Sequence, residues 1–141
     1  SGKGRITHYD AELNSVRERK LAIENQIRSG LERDEFEVWY QPIVDARSQT
    51  MSSVEALVRW PRRPEGLLGP DTFIAIAETS GLIYKLGQFV LQRACEDLQP
   101  YGELKLSVNI SPAQFRDPAF EEKVASVLET THFGSARQAV A

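Results

Sequence analysis

The sequence predicts an α/β fold in which helices cover a mainly parallel sheet. Residues 36–45, 53–60 and 104–111 are rich in β-branched and aromatic residues or alternate apolar with polar, as strands do. Amphipathic helical patterns lie between the second and third of these segments and after the third. Because strands joined by helical crossovers run parallel, this order predicts a parallel sheet with helical connections.

A long helix is predicted before the first strand. Asp10 is a suitable N-cap, and the helical pattern continues to about Glu32. Residues 1–10 are small, basic and polar, which is typical of a linker or the end of a preceding domain, so 11–32 is predicted as a connecting helix. Its apolar side consists of Leu13, Val16, Ile23, Ile27 and Leu31.

Prolines and glycines divide the rest of the chain. Pro42 cannot donate to a ladder, so the first strand is predicted at a sheet edge. Pro70 and Gly81 mark the start and the stop of a helix, and a second helical pattern follows directly. Asp117 is predicted as the N-cap of the last helix, and the final segment, 134–141, shows no strand pattern.

Composition excludes several classes of function. The chain has 141 residues and a formal net charge of −3, which argues against a binder of nucleic acid polymers. Its single cysteine, Cys95, excludes an intrachain disulfide and a cysteine-rich zinc site. No membrane-spanning run or signal peptide pattern is present, so we expect a cytoplasmic setting.

Charged residues lie on one face of the second predicted strand. Glu55, Leu57 and Arg59 alternate with apolar neighbours and point the same way. One interpretation is a Glu55–Arg59 ion pair on a half-exposed strand. Alternatively, Glu55 and Asn109, which both come late in their strands, offer oxygen ligands to Mg²⁺ or Mn²⁺, and Arg59 clamps a phosphate.

Neither interpretation is decided by spacing. Two oxygen ligands are too few to define a metal site, and Asn109 also fits a hydrogen-bonded structural amide. Glu78, on the helix after Pro70, fits either a solvated carboxylate or a group that supports a neighbouring ligand.

Several motifs in order resemble the first half of the EAL domain family. They are YQPIVD, EALVRW, GPDTFIAIAETSGLI and LSVNISPAQFRDPAF, spread over 33–133. The opening GKGRITHYDAEL resembles the end of a GGDEF diguanylate cyclase domain with its connecting helix. The resemblance implies a TIM-like barrel whose first strand is antiparallel, and metal-dependent hydrolysis of cyclic di-GMP to linear pGpG.

The resemblance also implies roles for single residues. Glu55 and Asn109 correspond to metal ligands for Mg²⁺ or Mn²⁺. Arg59 corresponds to a phosphate-binding arginine, Gln41 to a glutamine beside the ligand, and Leu57 to a residue under the guanine-binding area. The family's catalytic lysine and remaining carboxylates have no counterpart in these residues.

Length therefore suggests a partial barrel. A complete barrel needs roughly 200–250 residues, whereas about a hundred follow Phe36, enough for roughly three strands. We expect an inactive half of a phosphodiesterase domain, with 134–141 as a tail outside the family pattern, that forms a homo-oligomer through the exposed half-barrel. The alternative is a non-catalytic module that binds cyclic di-GMP or another protein.

Overall fold

The computed structural model describes residues 8–133 and 138–140 and has an α/β fold. After the first helix and the first two strands, pairs of helices alternate with single strands. The helices are α1 (His8–Glu32), α2 (Pro70–Ser80), α3 (Ile83–Leu98), α4 (Pro112–Phe115) and α5 (Phe120–Thr131); the strands are β1 (Glu37–Val44), β2 (Met51–Arg59), β3 (Lys105–Val108) and β4 (Gln138–Val140).

The strands form one sheet in the order β1-β2-β3-β4. β1 is antiparallel to β2, and the other neighbours are parallel. Helices connect each parallel pair, which confirms the predicted α/β class with helical crossovers. β1 is an outer strand of this sheet and contains Pro42. A residue without a backbone N–H is tolerated there, because no further strand of the sheet lies beyond β1.

The prediction of no strand in 134–141 is wrong for part of that segment. Gln138–Val140 pairs in parallel with β3, with Ser107 opposite Ala139. A stretch this short carries almost no periodic signal, and the exposed edge of β3 supplies the hydrogen bonds that order it. The other residues of the predicted tail, like residues 1–7 of the predicted linker, lie outside the described part.

Two helix starts also differ from the prediction. Pro112 does not simply end the strand but begins α4, a single turn. Asp117 does not cap α5, which begins at Phe120; instead it accepts the N–H of Ala119 and an ion pair from Lys123 at 2.6 Å. Lys123, followed by the Ala119 N–H, holds the pKa of Asp117 below its ordinary value.

One face of the sheet is covered by α3 and α5. Alternate residues of β2 and β3 point into this core, together with Cys95, which is fully buried as a packed thiol. The core residues are Val54, Ala56, Val90, Leu91, Ala94, Cys95, Leu98, Leu106, Val108, Val127 and Phe133.

A second core joins α1 and α2 to the end of β2. Phe36, Trp60 and Phe73 pack as an aromatic cluster, with ring centroids 4.6 Å apart for Phe36–Trp60 and 5.6 Å for each ring to Phe73. Gly30 lies against this cluster, because a Cβ there would come within 2.9 Å of the Phe36 ring. The second core therefore fixes α1 on the body of the domain.

Tyr40 links β1 to α3 through a hydrogen bond of 2.6 Å from its hydroxyl to Asp97. Burial, and then the Asp97 bond, raise the pKa of Tyr40 above its usual range. Only the neutral phenol donates, so this stabilisation is complete below the unfolded pKa of about 10 and is lost as pH rises beyond it.

We expect Tyr40→Phe to lower the free energy of unfolding by about 1.5–3 kcal/mol at pH 7, because a bond to a carboxylate is lost. Urea unfolding at pH 7 and above pH 10 checks this expectation. The difference between the two proteins should shrink at the higher pH; a difference that is constant with pH would contradict the role of this bond.

Candidate functional site

The face of the sheet opposite α3 and α5 is uncovered in the described residues, and we call it the open face. Its central residues are Trp39 and Gln41 of β1 and Glu55 and Leu57 of β2. The antiparallel register places Gln41 opposite Glu55, and Trp39 opposite Leu57. Glu55 in turn pairs with Ser107 of β3. Alternation along β2 therefore puts Glu55 and Leu57 on the open face and the small apolar Val54 and Ala56 in the core.

Arg59 ends β2 and is held by its neighbours in the sheet. Its Nη1 donates to the backbone oxygen of Val58 at 2.8 Å, and its guanidinium lies 5.9 Å from the centroid of the Trp39 ring. Within the described residues, no salt bridge joins Arg59 to Glu55 or to another carboxylate. The alternative of a Glu55–Arg59 ion pair is thus wrong for this structure, and guanidinium donors remain for an anion.

A cleft of about 450 Å³ opens where β2 and β3 end. The carboxyl ends of parallel strands are the usual position of ligands in α/β folds. Leu57 and Arg59 line it from β2, Asn109 lines it just beyond β3, and α2, α3 and α4 form its other walls. Apolar residues and a few polar groups share these walls, which is typical of a small-molecule site.

The predicted site residues fall into two neighbouring groups. Leu57, Arg59 and Asn109 share the cleft. Glu55 and Gln41 are not among its lining residues but lie further along the open face, paired with each other across β1 and β2. Asn109 is exposed, which fits a group that faces solvent or a ligand.

A glutamine that the sequence reasoning missed supports the turn after β3. Gln114 is buried and accepts the Ser111 N–H through Oε1 at 3.0 Å, while the Ser111 hydroxyl accepts the Ala113 N–H. This capping box could have been found from the spacing of Ser111 and Gln114 in SPAQ. It holds the turn that follows Asn109 in a fixed shape.

Gly87 of α3 makes room for that glutamine. A Cβ at Gly87 would lie 2.0 Å from Nε2 and 2.7 Å from Cδ of Gln114, so any larger residue pushes the amide away. Both residues line the cleft. The packing of α3 against the β3–α4 turn therefore shapes the wall beside Asn109.

We expect Gly87→Ala to loosen the β3–α4 turn without unfolding the protein. Alanine gains about 1 kcal/mol of helix propensity over glycine, and the displaced Gln114 loses a hydrogen bond of about 0.5–1.5 kcal/mol, so overall stability changes little. The Ser111 amide should nevertheless exchange with solvent faster. Gly102→Ala is the control, because nothing lies within 4 Å of a Cβ there; equal protection of Ser111 in both variants would contradict the expectation.

Two acidic residues of α2, Glu78 and Asp71, also line the cleft. Glu78 lines it from α2 and is exposed, so its carboxylate fits either of the two interpretations given above. Asp71, in the first turn of α2, lines it too and was missed because a first-turn acid is common in any helix. Trp39 is half exposed beside Arg59, whereas Trp60 is buried in the aromatic cluster.

The oxygen ligands at this site are of the type that a hard divalent cation prefers, but there are too few of them to hold one. Glu55 and Asn109 offer oxygen ligands on adjacent strands, as Mg²⁺ or Mn²⁺ prefers. Among residues 11–133, however, no group of three or more His, Cys, Asp or Glu side chains is placed to hold a metal. These residues do not make up a metal site by themselves. In the same part of the chain, no helix is long and apolar enough to cross a membrane.

Comparison with known sequences identifies relatives of this chain. A signaling protein of Caulobacter vibrioides is 37% identical over 97% of this chain and 17% of its own length. Cyclic di-GMP phosphodiesterase NbdA of Pseudomonas aeruginosa is 33% identical over 91% of this chain and 17% of its length. The chain spans less than a quarter of the length of the sequence relatives that it matches, between 16% and 22%.

Solved structures show the same fold. The MucR phosphodiesterase in complex with c-di-GMP matches with a TM-score of 0.79 and 30% identity, over 84% of this chain and 50% of that one. The EAL enzyme Bd1971 with bound cGMP matches with a TM-score of 0.79 over 86% of this chain and 36% of that one, at 29% identity. The family model of the EAL domain matches residues 24–139, which extends into the segment predicted as a tail. This chain therefore belongs to the EAL domain family.

Proposed function

We propose that this chain supplies part of the binding site of a cyclic di-GMP phosphodiesterase. The single observation that carries the proposal is the cleft at the ends of β2 and β3, where Arg59 keeps guanidinium donors free of carboxylates within the described residues. Relatives that match most of the chain are named cyclic di-GMP phosphodiesterases. We assign the substrate and the activity to this chain from those names together with the geometry of the cleft.

Each residue contributes a different interaction. Arg59 binds one phosphate of the ligand bidentately, as a planar guanidinium does. Leu57 gives an apolar surface under the guanine, and Gln41 offers an amide beside it on the open face. Glu55 and Asn109 contribute two oxygen ligands to Mg²⁺ or Mn²⁺, and a bound metal of this kind supplies an activated water for in-line hydrolysis to pGpG.

These 141 residues should not catalyse the reaction alone. Two oxygen donors do not fill the shell of one octahedral Mg²⁺, and the resemblance assigns the catalytic lysine and further carboxylates to a part without counterpart here. We further propose that the sheet belongs to a partial TIM-like barrel in a cytoplasmic protein. The open face would then associate with a second copy, because Trp39 and Ile43 leave apolar surface exposed on it.

The second candidate is a module that binds cyclic di-GMP without cleaving it. Among residues 11–133, no group of three or more His, Cys, Asp or Glu side chains is placed to hold a metal, and this favours the second candidate for the isolated chain. Both candidates share the ligand and expect no turnover by this chain alone; they differ in whether the complete protein hydrolyses cyclic di-GMP. Arg59 is expected to bind phosphate in either case.

A hydrolysis assay tests whether the chain alone is a complete enzyme, which neither candidate expects. The chain is incubated with cyclic di-GMP and Mg²⁺ or Mn²⁺, and pGpG is quantified beside the MucR phosphodiesterase as a positive control. We expect no pGpG above the buffer blank. Turnover comparable with MucR would overturn the proposed inactivity, and calorimetric binding without turnover would support the shared ligand.

A further inference from the structure

The first half of α1 projects from the domain without cover from the described residues. Every residue from 11 to 22 is exposed, whereas Ile23 and Ile27 of the same helix are buried in the second core. Isolated helices shorter than about 12–15 residues are marginal in water, because helical stability comes mostly from packing of an amphipathic face. A helix that continues this far beyond its core therefore calls for a packing partner.

The exposed half carries an apolar stripe that suits such a partner. Leu13 and Val16 continue the line of Ile23 and Ile27 at heptad spacing, and Lys20 occupies the position between them. Leu13 is 39% exposed and Val16 is 46% exposed. A groove of about 300 Å³, lined by Val16, Ile23, Ala75 and Ile76 among others, lies where this stripe meets α2. The stripe is thus open to a helix up to the edge of α2.

The charges beside the stripe favour a second copy in the opposite direction. Glu12 lies toward the start of the exposed half. Arg17, Arg19 and Lys20 lie toward its end, together with Glu18, which the heptad spacing places on the outer side of the helix away from the stripe. An antiparallel copy brings the acidic end of one helix to the basic end of the other. With Leu13 packed on Val16 of the second copy, heptad geometry places Glu12 beside Arg19 of that copy, and this pairing occurs twice by symmetry.

A parallel pair fits less well. The partner helix would follow the same stripe toward the body of the domain, where α2 already covers Ile23 and Ile27. An antiparallel partner overlaps only the exposed halves and leaves the two bodies at opposite ends. The position of α2 therefore selects the direction.

We propose that the exposed half of α1, residues 11–22, is a self-association surface for an antiparallel second copy of this chain. Leu13 and Val16 form its apolar centre, and Glu12–Arg19 pairs between the copies set its register. The surface is separate from the open face of the sheet. It also stands independently of cyclic di-GMP binding.

Sedimentation equilibrium of the 141-residue chain across a range of micromolar concentrations tests the association. We expect concentration-dependent association that Leu13→Glu and Val16→Glu each weaken. Leu21→Glu is the matched control, because Leu21 is an exposed leucine of the same helix outside the stripe, at 57% exposure. Circular dichroism verifies that each variant folds. A wild-type chain that stays monomeric, or a dimer lost only on Ile43→Glu at the open face, overturns the proposal.

Charge exchange tests the direction. Arg19→Glu should raise the dissociation constant about five- to tenfold, because two exposed pairs become repulsive. Adding Glu12→Arg to the same chain should return the dissociation constant to its original value, since both antiparallel pairs are re-formed with exchanged signs. In a parallel dimer the guanidinium introduced by Glu12→Arg would instead lie beside Arg17 of the other copy, and a failure to restore would overturn the antiparallel register.

Cysteine crosslinking gives a second test of the direction. A mixture of Leu13→Cys and Val16→Cys chains should form a disulfide between unlike chains on mild oxidation, whereas each variant alone should not. The native Cys95 is buried, so the wild-type chain is the blank. Efficient crosslinking of Val16→Cys alone indicates a parallel pair and contradicts the proposal.

Discussion

Phe73→Ala is expected to lower the free energy of unfolding by about 3–5 kcal/mol, the range for a fully buried phenylalanine. Phe73 has no exposed surface and packs on both Phe36 and Trp60, which join α1 and the end of β2 to α2. Removing the ring leaves a cavity between these three elements. A loss of this size is a large part of the stability of an ordinary domain.

Urea unfolding followed by circular dichroism measures the change. Phe115→Ala is the matched control, because Phe115 is 57% exposed and its ring packs against Phe120 at the surface. We expect the control to lose less than about 1 kcal/mol, as most surface substitutions do. Similar losses in the two variants would contradict the view that the aromatic cluster holds the second core together.

Arg59→Ala is expected to weaken binding of cyclic di-GMP about 10- to 150-fold, the equivalent of a charged hydrogen bond of about 1.5–3 kcal/mol. Its guanidinium lies at the mouth of the cleft, 5.9 Å from the Trp39 ring. The fluorescence of Trp39, which is half exposed, should report the ligand, while Trp60 is buried and should not respond. Titration of the two proteins with cyclic di-GMP gives the two affinities.

Arg47→Ala removes the same charge at the other end of the sheet. Arg47 is exposed in the turn between β1 and β2, far along the strands from the cleft. Its affinity for cyclic di-GMP should equal that of the unaltered chain. If Arg47→Ala weakens binding as much as Arg59→Ala does, the attraction is a general charge effect and the assigned role of Arg59 is wrong.

The elements with strong local signals were predicted well from the sequence. Pro70 and Gly81 mark α2 because proline fits the first helical turn and Gly81 takes a positive φ of 81° at the C-cap. The alternation in β2 correctly placed Glu55 and Arg59 on one face and Val54 and Ala56 in the core. These features depend on neighbours in the chain, which a sequence displays directly.

Features that depend on distant contacts were missed. β4 is ordered by the edge of β3, and Asp117 turns to Ala119 and Lys123 instead of capping α5. Gly87 accommodates Gln114 across the gap between α3 and α4, which no local pattern shows. The cleft itself arises from β2, β3 and three helices together, so the sequence could supply its residues but not their arrangement.

The most direct test of the proposed site is an amide NMR titration of the chain with cyclic di-GMP in the presence of Mg²⁺. We expect the largest shift changes at Leu57, Arg59 and Asn109, with Gln41 and Glu55 next to them, and we expect Arg59→Ala to weaken these changes. A spectrum that does not respond to the ligand, or shift changes confined to α1 or α5, would contradict the assignment of the site.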